Sequence, residues 1–119
     1  MSKGISIVQI TWNSLSFIKK TFPKLLELDY SNIEYIIVDN GSTDGTLQYI
    51  QKQIKNNPNK NIKLISNKQN LGISIAKNQG VQKSTGKYLL LLDDDMLIEN
   101  KNYLNNIVEY YEKLNNPAF

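Results

Sequence analysis

Short apolar runs alternate along the chain with segments in which apolar residues recur at helical spacing, and this alternation limits the fold more than any other feature. The apolar runs span residues 5–10, 34–38, 62–65 and 88–92. The helical spacing covers residues 14–28, 43–54, 73–84 and 104–114. Repeated strand–helix units form a parallel sheet covered by helices, with right-handed crossovers. The sequence therefore predicts one α/β domain over residues 1–119, with a mostly parallel sheet of about four strands.

Individual residues predict where two of the helices begin and where one is interrupted. Ser14 is placed to cap the first helix, and Thr43 or Asp44 to cap the second. Pro23 lies inside the first helical segment. Because proline lacks a backbone N–H, we expect it to kink or divide that helix.

Polar clusters follow three of the four predicted strands. They occupy residues 11–13, 39–41 and 93–95. In an open α/β sheet, ligands bind beyond the carboxyl ends of the strands. The three clusters are therefore predicted to share one rim of the sheet, which becomes the candidate binding site.

The third cluster consists of three consecutive carboxylates at the end of the most apolar run. An uninterrupted apolar run predicts a strand buried on both faces. Because side chains at i and i+2 of a strand point the same way, Asp93 and Asp95 are predicted to converge while Asp94 points elsewhere. Paired carboxylates favour a hard cation such as Mg²⁺ or Mn²⁺. The alternative is a solvated acidic turn.

The other rim residues have a ligand-binding interpretation and a structural one. The carboxylate of Asp39 can accept a hydrogen bond from a nucleobase N–H, or it can stabilise its turn. The indole of Trp12 can stack on a base, or it can cover the end of the sheet. Thr11 and Asn13 can bind base or ribose, or they can shape the turn.

A fourth segment, at the start of the third helix, adds candidates for phosphate binding. Asn70 precedes Gly72, which permits a tight entry turn. Lys77 lies further along this helix and can reach a diphosphate as a point charge, unless it is simply solvated. Neither a P-loop nor a dinucleotide-binding Gly-x-Gly-x-x-Gly fingerprint is present.

Composition excludes several classes of chemistry. The chain has no cysteine and no histidine, which removes disulfides, thiolate zinc sites and histidine-based nucleophilic catalysis. The net charge is +3 with scattered lysines, so no nucleic-acid partner is predicted. No signal-like segment precedes Ile5, so we expect a cytoplasmic location, with membrane association through a parent protein or partner left open.

Taken together, five motifs carry a family resemblance. They are ITWN at 10–13, VDNGSTDGT at 38–46, NLG at 70–72, AKNQG at 76–80 and LDDD at 92–95. In this order and spacing, over nearly the whole chain, they resemble the family 2 glycosyltransferases of the GT-A fold. The resemblance implies a Rossmann-like GT-A sheet, truncated relative to a full GT-A domain because these enzymes are about twice as long.

The resemblance also implies roles for the rim residues. Asp39 would contact the base, and Trp12 would stack on it or border it. Asp93 would lie near the ribose or the metal, and Asp95 would bind the metal that bridges the diphosphate. Lys77 stands where the family commonly has arginine, and lysine lacks the bidentate fork of a guanidinium group.

The predicted function is therefore that of a donor-binding domain for inverting, Mn²⁺- or Mg²⁺-dependent sugar transfer. The donor would be a UDP-, dTDP- or GDP-sugar, and the acceptor is a saccharide or another molecule not identified by the sequence. The predicted metal ligands are Asp93 and Asp95, and the predicted nucleotide-binding residues are Thr11, Trp12, Asn13, Asp39, Asn70, Lys77, Asp93 and Asp94.

Alternatives to this function remain open at the level of sequence. No residue is identified as the catalytic base, and nothing marks Glu99 for that role, so a binding module without transferase activity is the main alternative. A nucleotidyltransferase and a receiver domain are less consistent with the position of the acidic triplet. Because the resemblance implies a truncated sheet, we also expect a homo-oligomer through strand four or the last helix, and weak or no transfer by the isolated chain.

Overall fold

The computed structural model describes residues 4–114 of the protein. Strands and helices alternate strictly, as predicted: β1 (Ile5–Thr11), α1 (Leu15–Leu26), β2 (Ile33–Asn40), α2 (Thr46–Asn56), β3 (Asn61–Asn67), α3 (Ile73–Lys83), β4 (Tyr88–Asp93) and α4 (Tyr103–Leu114). The strands form one parallel sheet in the order β3-β2-β1-β4. The predicted α/β fold is confirmed. Within the described residues, no helix has the length and apolar character needed to cross a membrane.

The register of the sheet brings the predicted rim together. Strand β1 lies between β2 and β4, and Ile10 is opposite Val38 on one side and Asp93 on the other. The next residue, Thr11, is opposite Asp39. All three polar clusters therefore begin at one edge of the sheet.

Helices cover both faces of the sheet. On one face, α1 buries Ile18, Phe22 and Leu25, which recur at helical spacing, in the main apolar core. Full burial of such a side chain contributes roughly 1.5–3 kcal/mol. On the other face, α3 packs closely on β1 through Gly80, where an added Cβ would lie 2.4 Å from Cγ1 of Val8. A glycine is thus needed for α3 to approach the sheet.

Helix α1 continues without a break through Pro23, so the prediction of a divided helix is wrong. The apolar residues before and after the proline are buried in one core, which anchors both parts of the helix. The carbonyl that loses its partner belongs to Lys19, an exposed residue. The tertiary packing therefore outweighs the loss of one helical hydrogen bond.

Strand β4 departs from its prediction. It is the last strand on its side of the sheet, and Leu89 and Leu91 are 42% and 44% exposed, while Leu92 is buried. The prediction of a strand buried on both faces is wrong because α3 lies over β1 and β2 rather than over β4. On the opposite face, α4 buries Leu104 in the main core.

A buried carboxylate ties the amino edge of the sheet together, opposite the predicted rim. Glu34 on β2 bonds Nζ of Lys63 on β3 at 2.7 Å, and it accepts hydrogen bonds from the Ser6 hydroxyl on β1 and from Thr85 before β4. Burial alone would raise the pKa of Glu34, but the hydrogen bonds from Lys63, Ser6 and Thr85 outweigh it and lower the pKa from 4.5 to about 2. The Glu34 carboxylate is therefore charged at neutral pH.

Candidate functional site

A cavity of about 350 Å³ opens at the carboxyl edge of the sheet. Its polar border is formed by Trp12, Lys77 and the acidic triplet of Asp93, Asp94 and Asp95. An apolar wall of Ile10, Ile73, Leu91 and Leu92 completes it. Five predicted site residues, Trp12, Lys77 and the acidic triplet, thus meet at one place. The apolar wall was not predicted, because nothing in the sequence distinguishes a leucine that borders a site from one in the core.

The cavity lies where the strand order reverses. From β1 the chain builds β2 and β3 on one side, and then returns to place β4 on the other side of β1. Ile10 and Trp12 come from the end of β1, and the acidic triplet comes from the end of β4. Crevices at this type of switch point are the usual binding sites of open α/β sheets.

A second, larger cavity of about 530 Å³ lies between β4 and α4. Among the residues that the structure describes, its border is apolar and tyrosine-rich, with Asn106 as the remaining polar residue and no charged side chain. These residues offer no groups for metal or phosphate chemistry. The smaller, polar cavity is therefore the candidate site.

The acidic triplet does not follow the alternation of a strand. Strand β4 ends at Asp93, whose carbonyl accepts a hydrogen bond from the Met96 N–H at 3.2 Å and closes a turn. Asp94 and Asp95 belong to that turn, and all three aspartates border the cavity. The predicted alternation of Asp93, Asp94 and Asp95 assumed a continuous strand, and it fails because i and i+2 equivalence ends with the strand at Asp93. The Thr21 hydroxyl donates to the Asp94 carbonyl at 3.0 Å and attaches the turn to α1.

Trp12 and Lys77 approach the cavity from two different elements. Trp12 follows β1 and is 51% exposed, so its ring is available to a ligand. Lys77 lies one helical turn after Ile73 on α3, so the two share a face of the helix, and both border the cavity. The site therefore combines a flat apolar surface with a cation and several anions.

Asp39 is fully buried and does not border this cavity. Its carboxylate accepts hydrogen bonds from the Thr11 hydroxyl at 2.9 Å, the Ser42 hydroxyl at 2.7 Å and the Ser42 N–H at 3.1 Å. A carboxylate offers about four acceptor positions, so most of its capacity is already used. The contacts support the turn-stabilising interpretation, and binding of a base by Asp39 stays a prediction that requires this turn to open.

The loops after β1 and β2 interlock through Asn13. Its N–H donates to the Ser42 hydroxyl at 2.9 Å, and its side-chain carbonyl accepts from the Thr43 N–H at 2.7 Å. Asn13 has a φ of +46°, a left-handed conformation that asparagine tolerates better than most residues. Neither Asn13 nor Thr11 borders the cavity, and the contacts of both favour the interpretation that they shape the turn.

Asp44 serves the starts of two helices. Its carboxylate accepts from the Leu15 N–H at 3.1 Å and from the Thr46 N–H at 3.0 Å, which open α1 and α2. Burial would raise the pKa of Asp44, but hydrogen bonds from Thr46 and Leu15 outweigh it and lower the pKa. The N-cap of α2 is Gly45, which has no side-chain capping bond, so the prediction that Thr43 or Asp44 is the cap is wrong in position, although Asp44 accepts from the first N–H of the helix. Ser14 occupies the N-cap position of α1 without a side-chain capping bond, because Asp44 takes that role.

Asn70 also lies outside the cavity border, but it is connected to α3. Its side-chain oxygen accepts from the Gly72 N–H at 2.8 Å and from Nδ2 of Asn40 at 3.1 Å. Asn40, Asn67 and Gln79, which join this network, were not predicted. Amide side chains carry no sequence signal that separates a buried network from a surface loop.

The carboxylates that border the cavity are compatible with a hard divalent cation. Within residues 4–114, no group of three or more acidic, histidine or cysteine residues forms a complete metal cluster. The side chains of Asp93 and Asp95 form no hydrogen bond or ion pair in that part of the chain, which leaves their oxygens available. Mg²⁺ commonly takes only one or two carboxylates and completes its shell with phosphates and water. Two such aspartates fit that pattern.

Comparison with known proteins finds glycosyltransferases that are similar to this chain in sequence and in fold. An uncharacterized glycosyltransferase of Haemophilus influenzae is 34% identical over 109 residues, which cover 92% of this chain and 33% of that protein. The structure of S. aureus TarS in complex with UDP-GlcNAc has a TM-score of 0.81 at 27% identity and covers 92% of this chain and 31% of that chain. The mannosyltransferase PcManGT of Pyrobaculum calidifontis, in complex with GDP-Man and Mn²⁺, has a TM-score of 0.89 at 24% identity, over 98% of this chain and 34% of that one.

These matches agree on the fold and differ from the chain in length. The chain spans about a third of the length of the relatives it matches. The family model described as Glycosyl transferase family 2 matches residues 6–118. Because this match covers almost the whole sequence, the chain belongs to glycosyl transferase family 2.

Proposed function

We propose that the chain is the donor-binding part of an inverting, metal-dependent glycosyltransferase. The observation that carries the proposal is the cavity at the strand-order reversal, which brings Trp12, Lys77 and the acidic triplet together. A nucleoside diphosphate sugar has a flat base, a strongly negative diphosphate and a polar sugar. The cavity offers a partner for each of the first two.

Each cavity residue has a distinct role in this proposal. The exposed face of Trp12 stacks on the base, a contact worth roughly 1–3 kcal/mol in single-stranded nucleic-acid complexes. The ammonium group of Lys77 binds a diphosphate oxygen as a point charge. Asp93 and Asp95 hold Mn²⁺ or Mg²⁺. When bound, this ion supplies positive charge that stabilises the departing nucleoside diphosphate.

A relative supports the class of donor. TarS of S. aureus, which is 27% identical, has been solved with UDP and with UDP-GlcNAc. By analogy, the donor of this chain is a UDP-, dTDP- or GDP-sugar. All three nucleotides carry a base N–H that a carboxylate or a carbonyl can recognise, and all three carry the same diphosphate.

Titration calorimetry with UDP, dTDP and GDP, each with Mn²⁺ and with EDTA, tests the proposal. We expect one nucleotide to bind tightly in Mn²⁺ and at least about tenfold more weakly in EDTA, since charge-assisted contacts to the diphosphate are lost. Asp95→Asn should weaken binding in Mn²⁺ and leave binding in EDTA nearly unchanged. Equal weakening under both conditions would show that Asp95 does not act through a metal.

A matched control separates this effect from a general change in charge. Asp29→Asn removes one exposed carboxylate near the amino edge of the sheet, away from the cavity. It should bind nucleotide as the wild type does, with and without Mn²⁺. If Asp29→Asn and Asp95→Asn weaken binding equally, the effect is one of overall charge.

The second candidate function is binding of a nucleotide sugar without transfer. It is favoured by the cavity border, where, among residues 4–114, the acidic triplet supplies all the carboxylates and leaves none for deprotonating an acceptor. Glu99 does not border the cavity. Incubation with the donor and a panel of saccharide and lipid acceptors, followed by mass spectrometry, decides between the two. Measurable transfer would exclude the binding-only function.

A further inference from the structure

Asn40 lies at the centre of a hydrogen-bond network beneath the start of α3. It is the last residue of β2 and is 2% exposed. Its Nδ2 donates to Oδ1 of Asn70 at 3.1 Å and to the carbonyl of Gly72 at 3.3 Å. Its Oδ1 accepts from the Leu71 N–H at 3.0 Å. One side chain therefore binds all three residues of the segment that enters the helix.

The network extends from Asn40 to the body of α3. Asn67 is opposite Asn40 in the sheet, and its Nδ2 donates to Oδ1 of Asn40 at 3.2 Å. Asn67 and Gln79 exchange two hydrogen bonds, at 2.8 and 3.0 Å. The amide cluster, defined as Asn40, Asn67, Asn70 and Gln79, thus joins the ends of β2 and β3 to two places on α3.

The segment held by the amide cluster, residues 70–72, leads directly into the first turn of α3, the helix that carries Lys77. Gly72 has a φ of +88°, and its carbonyl accepts the Ala76 N–H at 3.2 Å as the first bond of α3. Gly41 packs its backbone against Gln69, so closely that an added Cβ would lie 2.7 Å from two backbone atoms there. The loop after β2 therefore contacts the loop before α3 both by packing and by hydrogen bonds.

We propose that the amide cluster is a positioning device that fixes the first turns of α3, and with them Lys77, at the cavity. The inference rests on the proposed function, because it assigns the diphosphate contact to Lys77. Lysine has a flexible side chain with a four-carbon stem, so the position of its ammonium group depends on how firmly its backbone is held. Misplacement by about 1 Å of a group that binds a substrate can cost up to about a hundredfold in activity. None of the four amides contacts the ligand in this proposal.

Asn40→Ala tests the inference through two measurements on the intact chain. In hydrogen exchange without ligand, the peptide around Leu71 and Gly72 should exchange faster by about tenfold or more, because its acceptor is lost. In calorimetry with Mn²⁺ and the tightest-binding nucleotide, Kd should rise about tenfold. Both measurements should be repeated with Gln79→Met, which removes only the half-exposed end of the cluster and is expected to fold normally.

Double variants distinguish positioning from a general loss of stability. If Asn40 acts through Lys77, Asn40→Ala should raise Kd about tenfold in the wild-type background and less than about twofold in a Lys77→Met background. The matched control is Asn57→Ala, which removes a side-chain amide bonded to the Gln53 carbonyl at 2.7 Å at the far end of α2. It should change neither the exchange around Leu71 nor Kd.

The outcomes separate this inference from the proposed function. If the wild-type chain binds none of the three nucleotides, the proposed function is overturned, and the assignment of Lys77 with it. If the wild type binds but Asn40→Ala and Gln79→Met bind equally well, the positioning inference alone is overturned. Equal rises in Kd in both Lys77 backgrounds, or unchanged exchange at Leu71 in both variants, would likewise overturn it.

Discussion

The buried carboxylate of Glu34 predicts an acid-sensitive contribution to stability. Its side chain is 5% exposed and is held by Lys63, Ser6 and Thr85. The pKa of 4.5 in the unfolded chain falls to about 2 in the folded one, a difference worth about 3 kcal/mol. Because the folded-state pKa is the lower one, this stabilisation is present above pH 4.5 and is lost as the pH falls towards 2.

Urea unfolding of the wild type and Glu34→Gln at several pH values between 7 and 2 measures this contribution. At neutral pH, Glu34→Gln should lower the free energy of unfolding by about 3 kcal/mol, since Lys63 and the Thr85 N–H then face an amide that cannot accept as a carboxylate does. When the free energy of unfolding is plotted against pH, the values for the wild type and Glu34→Gln should converge below pH 4.5. Glu27→Gln is the control, because its ion pair with Lys24 at 3.8 Å is exposed and should contribute less than about 1 kcal/mol. A difference in free energy of unfolding between the wild type and Glu34→Gln that stays constant from pH 7 to pH 2 would refute the reasoning.

Three further predictions concern packing, the rim and assembly. Gly80→Ala should destabilise the fold by roughly 1–3 kcal/mol in urea unfolding, because its methyl group overlaps Val8, and a neutral effect would contradict the close packing of α3. Asp39→Asn should weaken UDP binding more than pyrophosphate binding if Asp39 contacts the base, whereas equal losses in calorimetry would leave it a purely structural residue. The exposed apolar face of β4 should support a homo-oligomer that Leu89→Lys dissociates, and a wild-type monomer in sedimentation at micromolar concentration would disprove it.

The order of elements and the place of the site were predictable from the sequence for a simple reason. Helical and strand periodicities differ strongly, and alternation of the two leaves few topologies besides a parallel sheet. Once the sheet is parallel, residues that follow its strands must share an edge. The location of Trp12 and the acidic triplet at one rim therefore follows from the sequence, and the structure confirms it.

The burial of β4 could not be predicted in the same way. Residues 88–92 form an unbroken apolar run that begins with a tyrosine. The run indicates that this segment avoids water, but it does not indicate which element covers it. In the structure, Leu89 and Leu91 face the side that α3 leaves open, because Gly80 draws that helix onto β1 and β2. Burial therefore alternates along β4, which the prediction of a strand buried on both faces did not anticipate.

The sequence also could not predict which rim residues bind neighbouring loops and which border the cavity. Thr11, Asn13 and Asp39 direct their polar groups at neighbouring loops, whereas Trp12 and the acidic triplet border the cavity. The connections that follow the strands explain the division. Strands β1 and β2 lead into α1 and α2 through short loops, residues 12–14 and 41–45, and these neighbouring loops hydrogen-bond to each other. Such pairing is expected because buried polar groups are costly when they are left unpaired. Strand β4 instead leads into a longer connection, residues 94–102, and the side chains of Asp93 and Asp95 form no hydrogen bond or ion pair among residues 4–114, so they stay available to a ligand.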